Sequence, residues 1–525
     1  MLGIVTYSAL YAHVAPPILT DVAPSWSALR ATAAATPTGK RLARDLADPR
    51  GPPHAGASLR LFDAADESDV RVTLYRDSAA WCPYCQKAWL FLEEKRIPYR
   101  VERVPLNAYG YKPQWYSRKV DGGKLPALEL DGAVHVESLE IIKLLDAEFA
   151  EPRMVPEEGS ADARRAASLL ELEERLMRDW FSLVFYPIEG SEVHFATVCL
   201  NATLHAVDEA LGETAGPWFL GGPQPSYVDL QYLVSLERLL ASCLYWKGLR
   251  VLGGVGGEGG EEGLGLRRLA AWLAAMESRE SYVATQSDYY TLVMSLPSQN
   301  GPGYAVPAAS AIAARLSGLD GAWSLEALRE QEAARAAAGV VDEPLAPLQR
   351  VGGAEAARHE AAYRLAANAE AVARFAARGA SEPGRPAFAA ELADPNAEAN
   401  EEFVAPIDCA LRHVAAALLD GAADGDGAVA AAARADLVGS VDTSAELMEG
   451  WDAYDDAPDG RPYYYNEYTG ESMYTPPTGQ LDACLAYLRD RVGVPRDMGA
   501  HAARHLRATL NWAIELARSE EGESE

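Results

Sequence analysis

Two cysteines separated by two residues, Cys82-Pro83-Tyr84-Cys85, are the densest chemistry in the sequence. Thiol chemistry runs through the thiolate, so the first question is what would hold a negative sulfur. The run 71–75 (RVTLY) is rich in β-forming residues and stops just short of Trp81. After the pair, residues 86–96 carry Ala88, Trp89 and Leu92 at helical spacing and then a charged end. The cysteines therefore stand where a strand hands over to a helix. There Cys82 meets the unpaired N–H groups and the positive end of the helix dipole, both of which stabilise S⁻. Pro83 suits the first helical position, where its missing N–H would have no partner anyway. Cysteines so placed reach pKa values of about 3.5–7.5, against about 8.5 for a free thiol. Cys82 is the exposed, helix-starting member and the expected nucleophile. Cys85, one turn further in, is placed to resolve a mixed disulfide. Nearby Lys87 is expected to point to solvent. Half of a zinc site is the alternative reading of a lone CxxC. No second CxxC or HxxxH stands at a suitable spacing from it, and no metal is expected.

The surrounding pattern says what positions the pair. Pro98 stops the helix, and 99–106 (YRVERVPL) reads as the next strand. Two short strands at 127–130 and 133–136 are joined by Asp131-Gly132, a hairpin signal, and a helix over 139–149 closes the unit. From about residue 160 the strand signals fade. Segments 163–186, 200–213 and 226–246 are apolar at helical spacing, and 265–290 returns to helix after a glycine-rich run at 253–263 that reads as a flexible loop. Beyond 308 the chain is alanine-rich and acidic, with helices expected at 354–378, 403–419, 480–491 and 498–518. Stretches 379–400 and 420–446 lack large apolar residues and are expected to be loose, and the acidic tail 519–525 disordered.

Bulk properties narrow the classes. A chain of 525 residues is too long for one core and should divide into several units. Its formal charge of −29 argues against nucleic acid or anionic lipid as a main partner. Six cysteines in this length are no disulfide framework, which points to a reducing compartment. Cys199, Cys243, Cys409 and Cys484 are scattered and read as small apolar residues. No stretch is long and apolar enough to span a bilayer. The first basic residue is Arg30, so the N-terminus lacks a secretory signal's basic region. Residues 24–50 combine Ala, Ser and Thr with several Arg and Lys, and read either as a transit segment or as a helical arm. Plastid and cytoplasm both stay open.

Residues 71–150 resemble the N-terminal domain of glutathione transferases, closest to the cysteine-type omega and lambda classes and to glutaredoxins. Four local matches carry this: the CPYC at 82–85, Lys112-Pro113-Gln114-Trp115, Leu125-Pro126 and Glu137-Ser138. The resemblance implies a cis peptide before Pro126, which presents the backbone of Leu125 to the cysteinyl part of glutathione. It implies that Glu137 takes the γ-glutamyl ammonium, Ser138 the γ-glutamyl carboxylate, and Lys112 the glycyl carboxylate. Downstream, Trp218-Phe219-Leu220-Gly221-Gly222 and Ser226-Tyr227-Val228-Asp229 resemble the helical transferase domain, where Ser226 and Asp229 would cap a buried helix. Segments 75–87, 282–291 and 490–515 further resemble a plant and algal transferase-like family with a long helical extension. The implied chemistry is thiol transfer or glutathione-dependent reduction, with glutathione as co-substrate and a small electrophile or mixed disulfide as the other partner. A homodimer stays open. The rival, from another class, is a transferase-fold scaffold protein.

A second resemblance lies at 450–477, which is similar to a WW domain, a three-stranded sheet that binds proline-rich peptides. Gly450-Trp451, Gly460-Arg461, Tyr463-Tyr464-Tyr465, Asn466, Thr469 and Pro477 carry it. Strand alternation puts Tyr463 and Tyr465 on one face and Tyr464 on the other. The resemblance implies a structural buckle of Trp451, Tyr464 and Pro477, and a ligand groove of Tyr463 and Tyr474. Tyr474 stands where the family has its second Trp, and Glu467 where it often has His.

The expected architecture is α+β. An N-terminal arm (1–69) precedes a thioredoxin-like glutathione-binding domain (70–150) and an all-helical transferase domain (160–307). A helical extension (308–445), the WW-like module (450–478), C-terminal helices (479–518) and the tail complete it.

Overall fold

The computed structural model describes residues 15–252, 264–338, 353–381, 392, 394–421, 427–442, 447, 451–454, 463–466, 471–473 and 478–519. Helices α1 (Trp26–Ala35) and α2 (Pro37–Ala47) open it, each begun by a hydroxyl cap, Ser25 and Thr36. A mixed five-stranded sheet follows. Its strands are β1 (Leu59–Arg60), β2 (Val72–Asp77), β3 (Tyr99–Val104), β4 (Ala127–Leu130) and β5 (Ala133–Val136). The spatial order is β1-β3-β2-β4-β5, with β2 and β3 parallel and the other neighbours antiparallel. A parallel pair needs a crossover, and α3 (Pro83–Glu94) supplies it. Helices α4 (Gln114–Lys119) and α5 (Ser138–Glu148) complete this layer. The sheet begins earlier than residue 70: β1 pairs with β3, and buried Arg60 forms an ion pair with buried Glu93 at 2.9 Å. Two residues of strand were too short to show a pattern in the sequence.

The helical layer comprises α6 (Ala161–Val184), α7 (Ser191–Leu211), α8 (Tyr227–Lys247), α9 (Arg267–Glu277), α10 (Glu280–Thr285), α11 (Tyr289–Ser295), α12 (Pro297–Asn300) and α13 (Ser310–Leu316). Helix α8 is almost entirely buried, its polar residues Asp229, Glu237 and Arg238 included. One continuous apolar core runs from Val72, Leu74 and Leu128 of the sheet through Phe91, Ile141 and Leu145 to Trp180, Leu233 and Trp272.

A second core belongs to α14 (Leu325–Ala338), α15 (Ala354–Ala367), α16 (Ala369–Ala376), α17 (Glu401–Asp420), α18 (Ala428–Leu437), α19 (Leu481–Arg491) and α20 (Ala500–Arg518), joined by Leu29 of α1. Alanine dominates because the helices approach closely. A side chain at Gly379 would come within 2.7 Å of the Ala483 carbonyl. The helix expected over 354–378 breaks at Asn368, and 428–437, expected to be loose, is helical. Its alanines are strong helix formers even without large apolar neighbours.

Residues 24–50 are an integral arm. Trp26 Nε1 donates to Asp408 at 2.6 Å and Arg30 to the Ala366 carbonyl at 2.8 Å. Strands β6 (Trp451–Tyr454), β7 (Tyr463–Asn466) and β8 (Glu471–Met473) make a separate antiparallel sheet. No helix among the described residues is long and apolar enough to cross a membrane.

Candidate functional site

Helix α3 begins as its sequence requires, with Pro83 at the first position and Cys82 as N-cap. The Cys82 Sγ accepts the Cys85 N–H at 3.4 Å, and the Gln86 N–H reaches the Cys82 carbonyl at 3.0 Å. This turn aims the Cys82 sulfur inward, so Cys82 is only 5% exposed and not the open residue the sequence suggested. Cys85 is fully buried. Burial, the hydrogen bond to the Cys82 sulfur and the charge there hold its thiol well above the ordinary value. A thiol so held stays protonated beside the Cys82 sulfur.

The floor beneath the pair is Asp77, at the end of β2. Its Oδ2 accepts the Trp81 N–H at 2.7 Å, whereas Oδ1 is buried without a hydrogen-bond partner. A carboxylate oxygen of Asp77 and the two sulfurs lie within 4.8 Å of one another.

Trp81 fixes the approach to Cys82, and it is held from three sides. Its carbonyl accepts from Arg238 of α8 at 2.9 Å, and Tyr109 meets its ring edge-on at 5.1 Å. Its indole N–H donates to the Val494 carbonyl at 2.9 Å, in the loop between α19 and α20. Arg496 lies over the ring, and a side chain on Gly493 would overlap it. Val494 is itself bound by Ser287 Oγ and by Thr291 Oγ1 at 3.1 Å. Nearby, buried Arg507 pairs with buried Asp288 at 2.6 Å. On the other side Arg238 also holds Gln86 at 3.0 Å, and Gln86 donates to buried Glu237 at 3.1 Å. Sequence reasoning found none of these partners, because they come from elements far along the chain.

The residues assigned to glutathione line the same end of the sheet. The Leu125–Pro126 peptide is cis. Glu137 is exposed, has φ +66°, and pairs with Lys124 at 2.7 Å. Ser138 is buried as the first residue of α5. Lys112 lies over Gly123, half-shielded; desolvation lowers its pKa while the two nearby cysteine sulfurs oppose that. Tyr84 is exposed at its ring, and desolvation, with Cys82, Glu173 and Glu137 adding to it, raises its pKa. Lys87 is a correction. It does not point to solvent but is 8% exposed, and desolvation lowers its pKa while Glu173 of α6 and Cys82 raise it. The helical layer packed over that face of α3 buries it.

In α8, Asp229 accepts the Ser226 N–H and hydroxyl, both at 2.8 Å. It also takes the Phe219 N–H at 3.1 Å and the Trp272 indole N–H at 2.9 Å. In the small sheet Trp451 is buried, Tyr464 half-buried and Tyr465 exposed, with the Tyr454 and Tyr465 rings edge-on at 6.3 Å. The Tyr463 side chain, Tyr474 and Pro477 lie outside the described residues, as do Gly450, Gly460, Arg461, Glu467 and Thr469.

Two further polar clusters escaped the sequence reading. Cys409 and His413, one turn apart on α17, both contact Asp436 of α18, at 3.4 and 2.7 Å. Cys409 is therefore no isolated apolar thiol. His501 and His505, one turn apart on α20, converge on Glu332 of α14. Residues 501–505 carry an HxxxH far along the chain from the CxxC, and it meets a glutamate instead.

With this geometry in hand, comparison with known proteins is direct. Residues 81–148 match the glutathione S-transferase N-terminal domain. The chain is 30% identical to protein IN2-1 of Zea mays over 210 residues, 40% of this chain and 78% of that protein. It is 29% identical to glutathione S-transferase L2, chloroplastic, of Arabidopsis thaliana over 237 residues, 45% of this chain and 70% of that one. Among solved structures, glutathione transferase Omega 3C from Trametes versicolor is 27% identical, covering 42% of this chain and 90% of that one with a TM-score of 0.34. The chain belongs to the glutathione S-transferase superfamily. More than half of it lies outside each of these matches.

Proposed function

We propose that this protein is a glutathione-dependent thiol transferase or reductase with Cys82 as nucleophile. One observation carries the reading: the Cys82 sulfur sits at the N-terminus of α3, accepts the Cys85 N–H, and faces a Cys85 thiol held protonated. The Cys82 thiolate attacks one sulfur of a glutathione mixed disulfide, forming a new S–S bond as the old one breaks and the other thiolate leaves. A second glutathione thiolate then attacks the sulfur it carries and releases Cys82. Lys87 and Lys112 supply positive charge near these sulfurs. Glu137, Ser138, Lys112 and the Leu125 backbone are the proposed glutathione contacts. Cys85 offers a dithiol route.

Turnover of a glutathione mixed disulfide, dehydroascorbate and a chlorinated aromatic tests this. Transfer with the first two, absent from Cys82→Ser, is expected. Conjugation of the third alone would reject the thiol mechanism.

A second reading concerns β6–β8. Their three-stranded order, buried Trp451 and exposed Tyr465 support a WW-like module with Tyr463 and Tyr474 as its groove. Weak binding of proline-rich peptides with nearby Arg or Lys is expected. A full-length protein whose tyrosine resonances stay unmoved at millimolar peptide would make the sheet purely structural. The chloroplastic relative supports a plastid location.

A further inference from the structure

Three clusters of metal-ligating side chains occur among the described residues. Asp77, Cys82 and Cys85 belong to the thiol site. In the second, Asp436 already serves Thr20, Val22, His413 and Cys409, and the His413 and Asp436 side chains are closed to solvent. The third differs on each point. His501 Nε2 and His505 Nε2 aim at one oxygen, Glu332 Oε1, from 3.0 and 2.8 Å. The histidines are spaced one turn apart on α20, so both rings fall on the face that meets α14. The two rings lie 5.2 Å apart, and the Glu332 side chain keeps 22% of its surface open.

We propose that Glu332, His501 and His505 form a binding site for a divalent cation of the zinc class. Two imidazole nitrogens and one carboxylate oxygen are the donor set such an ion takes, with a water in the fourth position. Bond lengths of about 2.0–2.2 Å place tetrahedral ligand atoms about 3.3–3.6 Å apart. Each nitrogen needs to move only about half an ångström further from the Glu332 oxygen to admit the ion. Burial lowers the His505 pKa, against the raising effect of the Glu332 carboxylate. Binding moves each ring proton from Nε2 to Nδ1 and needs no net proton release from a neutral ring. Two features limit affinity. His501 Nδ1 is buried without a partner to receive its new hydrogen, and the charge of Arg358 opposes a cation beside His505. A bound ion would tie α14, which follows the transferase layer, to the last helix of the chain.

The test uses the chelator-treated full-length protein and cobalt(II) as a spectroscopic stand-in for zinc. The site contains no sulfur, so it should bind one equivalent with four-coordinate visible bands and no thiolate charge-transfer band. Zinc should displace the cobalt and slow carbethoxylation of His501 and His505 in the unmutated protein. His505→Gln keeps a donor for Glu332 in the metal-free state, and Glu332→Gln keeps the shape; each should weaken binding at least about ten-fold, the lower end of what an outer-shell loss costs. A thiolate charge-transfer band would assign the ion to Cys82 and Cys85 or to Cys409 and overturn the proposal. So would no saturable binding, no histidine protection by zinc, or unchanged affinity in two variants with the native circular dichroism spectrum.

Discussion

Helices α3 and α17 each hold a buried cysteine whose sulfur lies within 4.8 Å of an aspartate oxygen, yet the two sulfurs stand at different points of their helices. Cys82 is the N-cap of α3 and receives the N–H of Cys85. Cys409 sits in the middle of α17, where every backbone N–H is already used. Burial and the Asp436 charge raise its pKa, and it serves as a hydrogen-bond donor. The same residue types thus stand as the proposed nucleophile at a helix start and as a strut in a helix interior. Position relative to the helix dipole decides, not the company of a carboxylate.

The sharpest way to break this comparison is to remove each sulfur. Cys82→Ser should reduce thiol transfer at least about 10³-fold, in effect to background, because no activated nucleophile remains. Cys409→Ser should leave the rate within about two-fold. Comparable losses from both, measured with a mixed-disulfide substrate, would end the distinction.

Stability should show the reverse order. Asp436→Ala strands His413 in a closed interior and takes the acceptor from the Val22 N–H, and should cost about 2–3 kcal/mol in denaturant unfolding of the second core. Its thiol transfer at low temperature should be unchanged. A loss of activity without a loss of stability would instead tie the α17 cluster to catalysis.

Glu137→Ala probes the glutathione end of the α3 site. Losing one charge-assisted hydrogen bond typically costs about 1.5–3 kcal/mol, so the dissociation constant for glutathione should rise about ten-fold or more by calorimetry. Glu137 is exposed, and the melting temperature should barely move.

The smallest effect concerns Cys85. Its raised pKa means that its thiolate fraction grows only as the solution becomes alkaline. Intramolecular disulfide recovered after glutathionylation should therefore increase several-fold from about pH 6 to about pH 9. Cys85→Ser should keep most of the monothiol turnover at the lower pH. A pH-independent yield of disulfide would remove the protonated Cys85 from the account.

How much of this could be read in advance follows contact distance along the chain. The strand, the CxxC and the helix behind it are neighbours in sequence, and local pattern displayed them. The clamp on Trp81 was invisible because Val494 lies 413 residues away. Lys87 looked free because nothing local to α3 announces the helical layer that buries it. Helix α18 hid behind its alanines, which carry helix propensity but no amphipathic stripe. The α20 histidines were missed for a different reason: they were sought as partners to the cysteines, while their partner is a glutamate on α14.

The central claim is that Cys82 alone among the six cysteines carries the exchangeable thiol. Reaction of the native protein with a slight excess of glutathione disulfide, quenched in acid and analysed by peptide mass spectrometry, tests it most directly. The account predicts one glutathionyl group, on Cys82, or a Cys82–Cys85 disulfide derived from it. Modification of Cys199 or Cys409 at a comparable rate, with Cys82 left unmodified, would contradict it.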